Sequence, residues 1–180
     1  MTASVARAAI EAGADIVNDV SGLMHDPAMV DVLRGSTAGV VLMHMKGEPR
    51  TMQLNPVYDD VVREVREFFD ERLRVLVDAG IDPQRVILDP GIGFGKALEH
   101  NLALLRSLSA LCAQDRPLLI GVSRKSMIGK LLGSTDIADR AWPTVALTSY
   151  AREHGVSIVR VHEVKANVEA MRMTEAILGC

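Results

Sequence analysis

Five short apolar runs, each closing on polar residues and each followed by a helix-patterned segment, most constrain what this chain can fold into. The runs are Asp15 to Gly22, Gly39 to Met45, Val86 to Asp89, Pro117 to Val122 and Val156 to His162. Strict alternation with connections of this length requires parallel strands, right-handed crossovers and helices covering the sheet. In such sheets ligands sit at the carboxyl ends of the strands. Polar groups close all five runs: Asn18 and Asp19, then His44, then Asp89, then Ser123 with Arg124 and Lys125, and finally Arg160 with His162. One such end would mean little, but five in register read as a site.

The helical segments carry their own punctuation. Ser4 to Ala12 is Ala-rich and stops at Gly13. Asp26-Pro27 reads as an N-cap with Pro at the first helical position, opening a helix to about Arg34. The same signal at Asn55-Pro56 predicts a helix whose apolar face runs from Tyr58 through Val61, Val65, Phe69 and Leu76 to a stop at Gly80. Further helices are expected at Leu98 to Cys112, after Ser126, from Pro143 to His154, and from Lys165 to Leu178.

A (β/α)8 barrel needs eight strands in about 250 residues. This chain supplies five in 180, and it begins in a helix. The sheet is therefore either open, or the last five βα units of a barrel whose first three strands are missing.

The balance of 20 Lys and Arg against 23 Asp and Glu leaves no basic patch and argues against a nucleic-acid partner. No apolar run approaches the roughly 20 residues that span a bilayer, and no signal-peptide pattern is present. Cys112 and Cys180 lack metal-ligand spacing and are expected to be reduced thiols in a cytoplasmic protein. With no linker or low-complexity segment, residues 1–180 read as one domain.

The chemistry concentrates after the strands. Val86-Ile87-Leu88-Asp89 runs into Pro90-Gly91-Ile92-Gly93-Phe94-Gly95-Lys96, a carboxylate followed by a loop that backbone or ligand can approach closely. It is no P-loop, since Pro90 stands where the first glycine is needed and Ala97 follows the lysine. Ser123-Arg124-Lys125-Ser126 puts two cations at a helix start, with Ser126 as the expected N-cap and an anion as the expected ligand. Arg160 and His162 alternate with Val161, so both face one side of a strand and suit a phosphate or pyrophosphate. Asn18 offers an amide and Asp89 a carboxylate for the edge of a flat polar heterocycle. Met43 and Met45 either pack on that ring or fill the barrel core.

These residues in this order resemble dihydropteroate synthase. The resemblance rests on Asn18-Asp19-Val20-Ser21-Gly22, Leu42-Met43-His44-Met45, Asp89 to Lys96, Ser123-Arg124-Lys125-Ser126 and Arg160-Val161-His162, and it covers the whole chain. It implies a TIM (β/α)8 barrel, and a transferase that makes 7,8-dihydropteroate and pyrophosphate from 6-hydroxymethyl-7,8-dihydropterin pyrophosphate and p-aminobenzoate in folate biosynthesis. It also implies Mg2+ and a homodimer. By the same resemblance Asn18 and Asp89 bind the pterin, while Met43, Phe94 and Gly121 line its ring. Lys125 contacts the ring and shapes the p-aminobenzoate pocket, and Ser126 at its helix start meets the p-aminobenzoate carboxylate. Arg160 and His162 hold the pyrophosphate. Lys125, Arg160 and His162 are the expected catalytic residues.

Two departures stand out. The family's first three strands, with the Asn near Mg2+ and an Asp on the pterin, have no counterpart here, so no Mg2+ ligand is expected from this chain. Glu163 stands where the family usually has Asp. The chain is accordingly read as N-terminally truncated, and alone it is expected to be weak or inactive. Two other readings compete: a pterin-binding domain that passes a methyl group to a corrinoid, and a non-catalytic fragment.

Overall fold

A computed structural model describes residues 1–112 and 115–179 and follows the alternation unit by unit. Cys180 lies outside the described residues. Strands β1 (Ile16–Asp19), β2 (Gly39–Met43), β3 (Val86–Asp89), β4 (Leu119–Ile120) and β5 (Ile158–Val159) run parallel in chain order. Helix α1 (Ala3–Glu11) precedes them, helices α2 (Ala28–Arg34), α3 (Val61–Asp78), α4 (Leu98–Arg106), α5 (Leu108–Cys112), α6 (Ser126–Leu132) and α7 (Ala141–Glu153) lie between them, and α8 (Val164–Leu178) follows. β1 to β3 form one block and β4 with β5 another. A parallel bridge between Leu88 and Leu118 joins the two blocks. The Leu88 N–H donates to the Pro117 carbonyl there at 2.9 Å. The expectation of five consecutive βα units of a (β/α)8 barrel is met.

Register decides what each strand residue faces. Paired residues of neighbouring parallel strands share a side, and successive residues alternate. Val40, Leu42, Val86, Leu88, Leu118 and Ile120 join the large core under the helices. Val41, Ile87, Leu119 and Ile158 form a separate small cluster on the inner face. Asn18 pairs with Val41, and Met43 with Asp89, so Asn18, Met43 and Asp89 all belong to that inner face. Asp19 points the other way. Its carboxylate accepts from the Ser21 hydroxyl at 2.6 Å and the Leu23 N–H at 3.2 Å, a turn-forming role.

The helix boundaries differ from expectation in several places. α2 begins at Ala28 with Pro27, not Asp26, in the cap position, although the Asp26 carboxylate still accepts the Ala28 N–H at 3.1 Å. α7 begins at Ala141 and not at Pro143. α3 begins at Val61 and not at Asn55, because the Asp60 carboxylate accepts from the N–H groups of Val62 and Arg63, both at 3.0 Å. The segment 98–112 is two helices and not one, with Ser107 leaving helical geometry between them. Lys125, not Ser126, is the N-cap of α6, and it makes no side-chain cap bond. The last strand is also shorter than read, although the Arg160 N–H still donates to the Ile120 carbonyl at 2.9 Å.

Candidate functional site

The carboxyl ends of β3, β4 and β5 meet around a cleft of about 490 Å³, lined by Phe94, Gly121, Ser123, Lys125, Arg160 and His162 with Arg124, Ile137 and Val161. Each side chain arrives for a traceable reason. Gly121 follows β4, and a Cβ there would come within 2.8 Å of an Arg160 guanidinium nitrogen. The missing side chain is what lets Arg160 lie across the backbone of the neighbouring strand end. Ser123 Oγ stands 2.8 Å from His162 Nδ1 and accepts the His162 backbone N–H at 3.2 Å. Lys125 lies over the Phe94 ring with Nζ 4.0 Å from its centroid, a cation–π contact that orients the ammonium. Burial and the nearby Arg160 charge pull the Lys125 pKa down, with Asp89 opposing.

Asp89 is buried at 1% exposure, and its Oδ1 accepts the Gly91 N–H at 2.8 Å. Loss of solvent pushes its pKa up to about 6, against that bond and the charges of Arg160, Lys96 and Lys125. Desolvation wins, and the carboxylate is still ionised at neutral pH. It has room for further hydrogen bonds, since a carboxylate accepts several. Asn18 brings a second free acceptor to the inner face: its amide oxygen is buried without a hydrogen-bond partner among the described residues. Met43 is fully buried in register with Asp89.

The structure thus brings Phe94, Gly121, Lys125, Arg160 and His162 to one cleft, while Asp89 is buried outside its lining but within electrostatic reach of Arg160, Lys96 and Lys125. Asn18 and Met43 share the inner face but do not line the cleft. Ser126 is exposed at the start of α6, outside the cleft lining. His44, read as one of the five polar strand ends, turns to the helix side instead. Its ring packs edge-on against Phe68, with centroids 5.0 Å apart.

Two features were not read from the sequence. Arg124, with φ +57°, forms an ion pair with Glu163 across the mouth of the cleft. Lys96 is buried at 2% exposure with its ammonium in the turns of the glycine loop. A lysine after glycines gave no signal beyond the failed P-loop pattern. Among the described residues no three His, Cys, Asp or Glu side chains come together as a metal-holding group. By the resemblance, the Mg2+ ligand belongs to strands without a counterpart in this chain, and no step below is routed through a metal.

The sequence profile of the family described as pterin binding enzyme matches residues 1–162. The chain belongs to the pterin binding enzyme family. Among its relatives, dihydropteroate synthase of Neisseria meningitidis serogroup C is 49% identical over 166 residues, covering 92% of this chain and 59% of that protein. The solved Yersinia pestis dihydropteroate synthase with a sulfonamide drug superposes with a TM-score of 0.94 at 41% identity, over 98% of this chain and 64% of that one. The Xanthomonas albilineans enzyme in complex with 7,8-dihydropteroate gives 0.90 at 40% identity, over 99% and 66%. This member of the pterin binding enzymes thus spans about three fifths of the length of the first relatives it matches.

Proposed function

We propose that this chain carries the pterin and pyrophosphate subsites of a dihydropteroate synthase. The observation that carries the reading is the convergence of Lys125, Arg160 and His162 on one cleft beside a buried carboxylate. Asp89 and Asn18 accept from the N–H edge of the heterocycle, with Met43 and Phe94 against its faces. Arg160 and His162 hold the pyrophosphate, and Lys125 sits between ring and leaving group. Ser126, exposed at the start of α6, is assigned to the p-aminobenzoate carboxylate by the resemblance alone.

In the reaction, the bond from the pterin methylene carbon to the pyrophosphate oxygen breaks and takes its electron pair to the leaving group. The aniline nitrogen of p-aminobenzoate attacks that carbon and then loses a proton. The growing charge on the departing oxygen is met by fixed cations, and such preorganised stabilisation is the main source of rate. Asp89 serves as an acceptor and not as a general base, because the proton lost in the reaction is on the p-aminobenzoate nitrogen and not on the ring edge assigned to Asp89. No covalent link to the protein is needed.

A corrinoid methyl transfer has no leaving anion for Arg160 and His162 to hold, so the cleft favours the synthase. The same reading carries a cytoplasmic homodimer. An apolar cleft of about 450 Å³ between α4, α6 and α7, with Leu131 and Leu132 half exposed, offers a surface for a second copy. No helix of the described residues is long and apolar enough to cross a membrane. Calorimetric titration tests the function: dihydropterin pyrophosphate should bind more tightly than the same pterin without pyrophosphate, and methyltetrahydrofolate should not compete. Equal affinity for the two pterins would sink the reading.

A further inference from the structure

Two backbone N–H groups grip Asp89. The Gly91 N–H donates to its carboxylate at 2.8 Å and the His44 N–H to its carbonyl at 2.9 Å. Both donors belong to residues held by one side chain. The Lys96 ammonium donates to the Gly91 carbonyl at 3.1 Å and the Phe94 carbonyl at 3.0 Å. It also lies 2.9 Å from His44 Nδ1 and 3.4 Å from the His44 carbonyl. The glycine loop has no slack at these points. A Cβ on Gly91 would run into the His44 carbonyl, and one on Gly95 into that of Lys46.

We propose that Lys96 is the positioning residue of Asp89: it locks the 90–95 loop onto the end of β2 and places a buried cation behind the carboxylate that meets the pterin. The inference rests on the reading of Asp89 as the pterin acceptor and assigns a role to a residue that touches no substrate. A buried ammonium costs solvation, and four acceptors within reach offset that cost only in this geometry. The charged groups around Asp89 are Lys96 on its own loop, Lys125 after β4 and Arg160 after β5. Around Lys96 stand Asp89 and Lys125, with His44 in contact; His44 in turn feels Lys46 and Glu64. Burial and the Lys96 charge hold His44 neutral, with its pKa down to about 3, so its Nδ1 is available as an acceptor.

The test compares wild type, Lys96→Met and Lys96→Arg by carboxyl carbon NMR of Asp89. Parallel titrations use 6-hydroxymethylpterin and inorganic pyrophosphate. In Lys96→Met the Asp89 midpoint should rise by at least about half a pH unit. Pterin affinity at pH 7 should fall about tenfold while pyrophosphate affinity stays within about twofold. Lys96→Arg should restore the Asp89 midpoint. An unchanged Asp89 midpoint in Lys96→Met, or equal loss of both ligands, overturns the proposal. If wild type binds no pterin, the functional reading fails and the NMR comparison still decides the role of Lys96. If Lys96→Met does not fold, the wild-type titration decides: the Asp89 signal should show a second inflection as Lys96 loses its proton, and a single inflection overturns the proposal.

Discussion

Ser123 and His162 are bonded across the gap between two strand ends, the hydroxyl accepting the His162 N–H while its own oxygen lies 2.8 Å from Nδ1. On the proposed reading the hydroxyl donates to Nδ1 and so leaves Nε2 as the nitrogen that meets the pyrophosphate. Ser123→Ala removes that constraint. A neutral hydrogen bond contributes about 0.5–1.5 kcal/mol, so pyrophosphate should bind roughly two- to tenfold more weakly. Calorimetry on the variant checks this, and unchanged binding would mean that the serine does not orient the ring.

Gly121→Ala should weaken the same anion without unfolding the protein. The new methyl group would meet only the guanidinium end of Arg160, at 2.8 Å, and that end can move. Displacing one charged hydrogen-bond donor costs about 1.5–3 kcal/mol of anion binding. A thermal midpoint close to wild type, together with weak pyrophosphate binding, is the expected pair of results.

Pterin binding should fall as the solution is acidified through pH 6. Asp89 has its pKa raised from 3.8 to about 6, so above that value it is a carboxylate acceptor and below it a neutral acid. The sign for stability is the reverse. The folded chain holds this proton more tightly than the unfolded chain, so the group's contribution to stability declines as pH rises from 3.8 through about 6. Asp89→Asn should abolish the acid limb of the binding curve along with most of the affinity, read by pterin fluorescence between pH 5 and 8.

Lys96 leaves a different mark on stability. Its pKa is lowered from 10.5 to about 7, so between those values the unfolded chain binds more protons than the folded one. Stability from this group therefore rises with pH across that window. The thermal midpoint of wild type relative to Lys96→Met should climb from pH 7 to pH 10, and a flat difference would show that the lysine is not buried in solution.

Phe69 anchors the face of α3 against the main core and is fully buried there. Phe69→Ala should cost about 3–5 kcal/mol by lost burial and a residual cavity. Urea unfolding of the variant measures it.

Much of this was legible in the sequence, and the exceptions have physical reasons. Alternation and the Asp89 to Lys96 stretch set strand order and direction, because crossovers of that length admit few topologies. Parity placed Asn18 on the inner face once register was known, yet it could not tell Asn18 from Asp19 beforehand: both are short polar residues at a strand end. His44 misled for the same reason, since one position of slip moves a side chain from site to core. Lys96 was invisible because three of its four partners are carbonyl groups, which carry no sequence signature, and the fourth is the ring of His44, far away in sequence. The true cap at Asp60 was masked by the stronger-looking Asn55-Pro56, which lies in irregular chain just after a turn at residues 51–54.

The single bridge between Leu88 and Leu118 has a mechanical meaning. It divides the sheet into one block that presents Asp89 and another that presents Arg160. On the proposed reading, a ligand with its ring on the first and its phosphates on the second would lie across the seam as a strut, above the single core that already joins the two blocks. Cutting that ligand in two would remove the strut and leave each product on its own block.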